Sequence, residues 1–540
     1  MSTLRTLTLN TPDGLHPVDV ESLSQIGNSQ TDITVASLSA LSTIKVTANT
    51  KYATVSTDDF ISHYIWFLGS GATVADGYLI VASTTSGYWR MNHPGEVSIK
   101  QFGAKGDNVA NDTDAIQRAI NSGVNLYVPS GVYRHTPLTI TNRSSLSIKG
   151  VPGTYKSQFL LTASGFSFTL ATSSNVEFRD VGLTSVPGTL GTGGINTDGN
   201  SSLRVFTSII YGFTGPGVRM GGSVGSQMSG CIIRDNLFLS CGTDGTSPQL
   251  EGIYSQDFSY TGNQFGSVAP FTLPNRPAIG VRLTSCSNGY FADNLIWQAT
   301  QGAVFQSGCD YNRITNNRFE EAQHEGLVFS SCSYNTIIGN WINGNSLATV
   351  GGYDAFTMLT CNYNNVSGNS VHDWGAPTQL HRNSYVIGSS SVNNTFTNNK
   401  SRYAGTSHFL MDVGSVANSL DKSLSMSSTA NVASGATVFL GPAGASAASS
   451  NSYVAEGRQI SVGLRIQLPA APGGVQTVTA TLMVNGVATA LVATVTGASF
   501  AAYAVGSIEI PSEASYSVRV VYSATAVSSA PRVVLSNTSI

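Results

Sequence analysis

Charge is scarce in this chain. Only 11% of its 540 residues are Asp, Glu, Lys or Arg, and glutamate occurs ten times. The formal net charge is −3, so no basic field points to nucleic acid as a partner. No apolar run of about 18 residues or more occurs, which argues against a helical membrane span. The most apolar region, 488–505, is broken by Thr, Ser and Gly and alternates like a strand. The opening MSTLRTLTLNTPDG has no apolar core of signal-peptide length, so the chain reads as made in the cytoplasm without a cleaved leader. Cysteine is limited to six residues, all between Cys231 and Cys361, too few and too localised for a disulfide scaffold. Paired CxxC spacings, EF-type loops and dense Asp clusters are all missing, so neither a metal nor a cofactor is expected. What is abundant is Gly, Ser, Thr, Asn and Ala, a profile that suits a long all-β protein with many turns.

The cysteines have another explanation. CSNGYFADN (286–294), CDYNRITNN (309–317), CSYNTIIGN (332–340) and CNYNNVSGN (361–369) each begin with Cys and end with Asn. SVNNTFTNN (391–399) has Ser in the Cys place, and Asn236 and Asn263 look like earlier terminal asparagines. A period of roughly 20–30 residues made of short β-prone runs and polar turns is the signature of a solenoid. With no helix-length period in the repeat, a right-handed parallel β-helix is expected. Like residues would then stack about 4.8 Å apart, Asn as a hydrogen-bonded ladder and Cys as small buried filler.

The repeat region opens with VSIKQFGAKGDNVANDTDAIQRAINSGVNLYVPSGVYRH, residues 97–135. VSIKQF reads as a strand and GAKGDN as a Gly-rich turn. Asp112 or Thr113 caps a short helix with Ile116 and Ile120 on one face, suited to covering the open end of a β-helix. This segment resembles the entrance of pectate-lyase-like β-helix proteins, above all bacteriophage tailspikes. DGYLIVASTTSGYWRM (76–91) also resembles the small β module preceding that entrance in tailspikes. The resemblance implies an elongated homotrimer on the virion, joined through its N-terminal module to the phage tail, baseplate or an adaptor protein. Outside the host it would bind, and often cleave, a bacterial surface polysaccharide. Polygalacturonases share the entrance, and Asn196-Thr197-Asp198-Gly199 matches their first catalytic signature. The companion GDD or QDD, GHG and RIK motifs do not follow it, so NTDG reads as a turn.

The expected organisation is an anchoring or adaptor module over 1–95, the β-helix over 96–410 and a Ser/Ala/Gly-rich connection over 411–450. A C-terminal β-sandwich over 451–540 would serve trimerisation or carbohydrate binding. There ISVGLRIQL alternates, and two strands flank Asn485-Gly486 as a hairpin.

One stretch departs from the charge-poor background. Asn316 to Gly326, NNRFEEAQHEG, holds three of the ten glutamates, with an arginine and a histidine. Aligning Asn294, Asn317 and Asn340 places Trp297, Glu320 and Asn343 in one column, so Trp297 lies one turn before Glu320. Asp354 begins a later strand, near the level of Glu325 one turn earlier. Glycoside hydrolysis needs one carboxyl as acid and one as base or nucleophile, and crowded carboxylates beside an aromatic face suit it. Glu321 and Asp354 are the expected catalytic pair, with Glu320 and Glu325 as alternates. Trp297, His324, Arg318, Asp257, Asp373 and Trp374 are expected to bind substrate, and His381 and Arg382 could neutralise an acidic sugar. The same residues leave open β-elimination on a uronic-acid polymer, with His324 as the base for the C5 proton and Arg318 as the cation that stabilises the resulting negative charge. A receptor-binding adhesin without catalysis also remains open, whereas a bacterial cell-wall-degrading enzyme is disfavoured by the missing signal peptide and the N-terminal module.

Overall fold

The repeat closes into a coil because each turn holds three short strands separated by tight corners. In the computed structural model one turn comprises Arg313–Thr315, Arg318–Glu320 and Leu327–Ser330. Each strand pairs in parallel with its successor, Arg313 with Thr336, Arg318 with Trp341 and Leu327 with Phe356. Three parallel sheets result, called here the first, second and third faces in that order. The third face has 11 strands, so the coil makes about 11 turns. Alternation inside each strand sends Ile314, Phe319, Leu327 and Phe329 into the interior, all 0% exposed. Interior rings stack from turn to turn, as Phe305 and Phe329 do with centroids 4.8 Å apart.

The structure describes residues 33–44, 52–68 except 59, 76–93 except 85–86, and 95–268 except 154, 187–188, 190 and 200. It continues through 276–373, 380–401 except 389, 436–441, 459–469, 471–511, 514–523 and 531–539. Short strands are also described at 10–11, 14–15, 407–411, 419–420, 422–427, 444–446 and 453–454.

The asparagine column lies at the corner between the first and second faces. Asn317 Oδ1 accepts both the backbone N–H and the Nδ2 of Asn294, at 3.0 Å each, and Asn340 Oδ1 does the same for Asn317. The second Nδ2 hydrogen goes to a carbonyl, Phe291 O for Asn317. The ladder runs through Asn236, Asn263, Asn294, Asn317, Asn340, Asn369 and Asn399, none more than 3% exposed. A second ladder, Asn312–Asn335–Asn364–Asn394, runs beside the cysteines. The cysteines are free thiols at 0% exposure, and Ser391 takes the next position, its hydroxyl accepting the Cys361 N–H at 3.0 Å.

The chain divides into two compact units, 1–133 and 134–540. The entrance motif, expected to open the β-helix at 96, falls in the first unit as far as Tyr133, and its Glu96–Ser98 strand pairs in parallel with Asn125–Tyr127 as the coil's strands do. Gln101 Nε2 there donates to Ser62 Oγ at 2.7 Å, and the Arg118 guanidinium sits 4.9 Å from the Tyr78 ring. VSIKQF is a strand only at Glu96–Ser98; Ile99–Phe102 is a 3₁₀ turn closed by a Ser98–Gln101 capping box. The helix is Thr113–Ser122, with Asp112 at its N-cap position but making no side-chain cap. Its carboxylate instead accepts from the N–H groups of Lys105 and Gly106, at 2.7 and 3.0 Å, and so pins the Gly-rich turn.

In the second unit the coil is followed by two antiparallel sheets whose apolar faces share one buried cluster. Leu464, Ile466, Val478, Leu482, Val518 and Val533 lie within it. Val484 pairs with Val487 around Asn485 and Gly486, whose φ values of 49° and 76° are those of the expected hairpin turn. The stretch 411–450 is not a plain connection. Lys422–Ser427 and Thr437–Gly441 pair into these sheets, and its other residues, short strands apart, lie outside the described residues.

Two stability predictions follow from buried polar groups. Asn340→Ala removes the acceptor of two Asn317 donors and is expected to cost about 2–4 kcal/mol; an unchanged denaturation midpoint would contradict the ladder's role. His135 is buried against Phe159 and Phe168, and burial pushes its pKa down to about 4. The unfolded chain, with His near its ordinary 6.5, then binds the extra proton first. Stability contributed by neutral His135 is present above pH 6.5 and falls by up to about 3 kcal/mol as pH drops towards 4. Melting curves across that range should flatten in His135→Leu.

Candidate functional site

The corner between the second and third faces gathers the glutamates because the strand ends at Glu320 and the next residue must turn. Glu321 takes a left-handed backbone, φ 57°, as does Gln298 one turn earlier, φ 56°, while Gly344 fills the place one turn later. The 321–326 segment then carries the chain to the third face, where Gln301, Glu325, Asp354 and Asn383 occupy equivalent positions on successive turns. Glu325 and Asp354 are thus neighbours across one turn, with backbones about 4.8 Å apart.

Each acid has a distinct partner. Glu320 shares its second-face column with Trp297 and Asn343, in the expected register. It is paired with the exposed Arg318 at 2.7 Å on its own strand, an ion pair of small energetic weight. Glu321 accepts from Gln298 Nε2 at 2.6 Å, and Glu325 accepts from Gln301 Nε2 at 2.9 Å. Asp354 differs: Arg382 grips both its oxygens at 2.9 and 2.6 Å, and Asn383 Nδ2 adds a third contact at 2.7 Å. Its hydrogen bonds with Asp354 raise the pKa of Arg382, and the charges on Asp354 and Glu325 add smaller contributions in the same direction. Asp354 is 6% exposed and saturated with donors. That arrangement suits a fixed anion that orients Arg382 better than a carboxyl exchanging protons with substrate.

The aromatic surroundings come from two sequence details. Trp297 lies half-buried with its indole over Gly266, where any Cβ would occupy the ring's place. The longer turn before Asp354 folds back through Ser346, whose Oγ accepts the Tyr353 N–H at 3.0 Å. This sets Tyr353 on His324, with ring centroids 3.9 Å apart and planes within 16°.

Other expected residues sit elsewhere. Asp257 lies at the corner between the third and first faces, hydrogen-bonded to Ser229 at 3.3 Å, and is not brought to the glutamates. Asp373 follows the second face two turns beyond Glu321. It is buried against the segment that follows it, with His381 4.0 Å away and the Leu380 N–H donating to its carboxylate. Trp374 lies outside the described residues. Asp198 of the NTDG sequence accepts from Thr172 N–H and Ser201 Oγ, which is turn chemistry. Among the described residues no three His, Cys, Asp or Glu side chains gather as metal ligands. The partners that sequence reasoning missed are Gln298, Gln301, Tyr353 and the clamp from Arg382. Two of them were readable: Gln298 and Gln301 stand 23 and 24 residues before the glutamates they hold, one repeat away.

Residues 96–182 match the family described as rhamnogalacturonase A/epimerase, pectate lyase-like, and residues 164–424 match the right-handed β-helix region family. The coil is a right-handed parallel β-helix. No curated protein matches the chain. Among solved structures, the enzymatically active domain of tailspike protein 2 from bacteriophage CBA120 aligns over 95% of this chain and 91% of its own. The TM-score is 0.56 and the identity 12%. Full-length tailspike protein 2 from Escherichia coli O157:H7 bacteriophage CAB120 aligns over 99% and 82%, with TM-score 0.54 and 13% identity. At such identity the likeness establishes the fold.

The Asp354–Arg382 clamp gives a direct test. Arg382→Ala leaves Asp354 buried without its cation and should cost about 2–3 kcal/mol. Adding Asp354→Asn should return part of that loss, and a double variant as unstable as the sum of the singles would remove the coupling.

Proposed function

We propose that this protein is a phage tailspike that binds a bacterial surface polysaccharide and hydrolyses its internal glycosidic bonds at the corner between the second and third faces. The observation that carries the reading is the pair Glu321 and Glu325. In a chain with ten glutamates, two stand four residues apart on one corner, each held by a single glutamine amide from the preceding turn. An amide donor fixes a carboxyl in place without neutralising it, which suits a group that must both give and take a proton. Arg382 feels the charge of Glu325, and a carboxylate under the influence of a cation suits the partner that must carry charge. Glu325 is therefore assigned as base or nucleophile and Glu321 as general acid. Asp354 serves by orienting Arg382. Trp297, on its glycine cushion, offers a ring face for a sugar one turn before Glu320, and the His324–Tyr353 stack borders the same corner. A trimeric assembly attached to the virion through residues 1–95 accords with the likeness to tailspikes.

Glu321→Gln and Glu325→Gln should each slow depolymerisation by about 10²–10⁴-fold while leaving the fold intact, read from the size of purified capsule, O-antigen or exopolysaccharide after incubation. Chain shortening at the wild-type rate by both variants would sink the assignment. Products absorbing in the ultraviolet as unsaturated uronates would move the reaction to β-elimination. A wild-type protein that binds the polymer and never shortens it would be an adhesin.

A further inference from the structure

A second corner of the coil carries side chains that its backbone does not favour. Between the third and first faces one column of residues has left-handed φ on successive turns: Asp257 50°, Asn288 56°, Tyr311 59°, Tyr334 59°, Tyr363 56° and Asn393 57°. Asp257, Asn288, Tyr311, Tyr334 and Tyr363 each donate the backbone N–H to a carbonyl one turn on, so the conformation is a demand of the corner. Asp and Asn meet that demand easily; a bulky aromatic does not. Yet three consecutive turns use tyrosine. The rings stack in parallel, 4.9 and 5.1 Å apart and within 3°, and remain 57%, 46% and 52% exposed. Stacking recovers part of the strain, but asparagine would avoid it. Strain kept at an exposed position points to use.

We infer that Tyr311, Tyr334 and Tyr363 form a second glycan-binding strip, separate from the glutamate corner, for a hydroxyl-rich polysaccharide laid along the coil axis. The proposal rests on the reading that the protein binds polysaccharide. With their faces turned to one another, the rings offer edges and phenol hydroxyls to solvent, repeated once per turn. The turn spacing of about 4.8 Å is close to the advance of one pyranose in an extended chain. Successive sugars can therefore meet successive phenols in register. Ser307, Ser331 and Thr360, left-handed at 55°, 57° and 55° on the same corner, add a parallel row of hydroxyls. Several weak contacts repeated along one polymer add up through avidity, and would keep a cleaved chain on the protein.

The test uses the full chain with Glu321→Gln and Glu325→Gln to block cleavage, with and without Tyr311→Asn, Tyr334→Asn and Tyr363→Asn. Asparagine already serves this column at 288 and 393, so the coil should tolerate it. Binding is read on an array of immobilised bacterial capsules, O-antigens and exopolysaccharides, with melting temperature and light-scattering mass measured alongside. The expected result is a loss of about tenfold or more in apparent affinity, at an unchanged or higher melting temperature and unchanged mass. Equal binding with a lower melting temperature would make the column a packing device and overturn the inference. Equal binding with a changed mass would make it a contact between copies, and would also overturn it. A cleavage-blocked parent that binds no polysaccharide at all would overturn this strip and the polysaccharide reading together.

Discussion

Register is the constraint on which everything else depends. In a parallel coil each residue sits over its counterpart one turn earlier, so every position is a column and every column must tolerate its own repetition. Asparagine solves this at the inner corner because its side chain is both donor and acceptor, and each amide satisfies the next without an end-to-end charge. Cysteine and phenylalanine solve it in the interior by size and flatness. A charged residue is a poor column former, since like charges one turn apart repel. The low charge of the chain is thus a consequence of its architecture, not an independent property of its surface.

That rule gives the exceptions their meaning. Where charge does occur in a column, the structure breaks the repetition. Arg219, Glu251 and Arg282 alternate in sign on the third face, with contacts of 3.2 and 2.6 Å. At the glutamate corner the columns read Gln298–Glu321–Gly344 and Gln301–Glu325–Asp354–Asn383, so most acids have a neutral neighbour. The one adjacent pair, Glu325 and Asp354, has Arg382 at hand. Two carboxylates stacked without that cation would be costly.

The fold was legible from the sequence because ladders write themselves as repeats. Asn294, Asn317 and Asn340 fixed the phase, and the phase put Trp297, Glu320 and Asn343 in one column before any coordinate was needed. The corner glutamates were legible as an excess of charge, and their glutamine partners stand one repeat upstream, where composition gives no sign of them. What stayed hidden depends on corners and insertions. The extra residues before Asp354 shift the simple period, so the Tyr353–His324 stack and the Arg382 clamp could not be counted out along the chain. Asp257 and Asp373 looked similar to the corner acids in composition. The column of Asp257 lies at another corner, while Asp373 shares the column of Glu321 and is buried beside His381 two turns on.

The proposed catalysis would have, on such a scaffold, a physical advantage that a loop-built site lacks. Side-chain placement is set by backbone pairing on both sides of each turn, so the carboxyls of Glu321 and Glu325 are held by a rigid ladder and by amides that belong to it. The cost is that a column residue cannot be moved alone. Shifting Glu325 along the chain by one position would exchange its outward direction for an inward one and displace Leu327 and Phe329 from the core. Variation in substrate preference is therefore expected to concentrate where the period is already broken, in the turn that carries Ser346 to Tyr353, because length changes there leave every column in register.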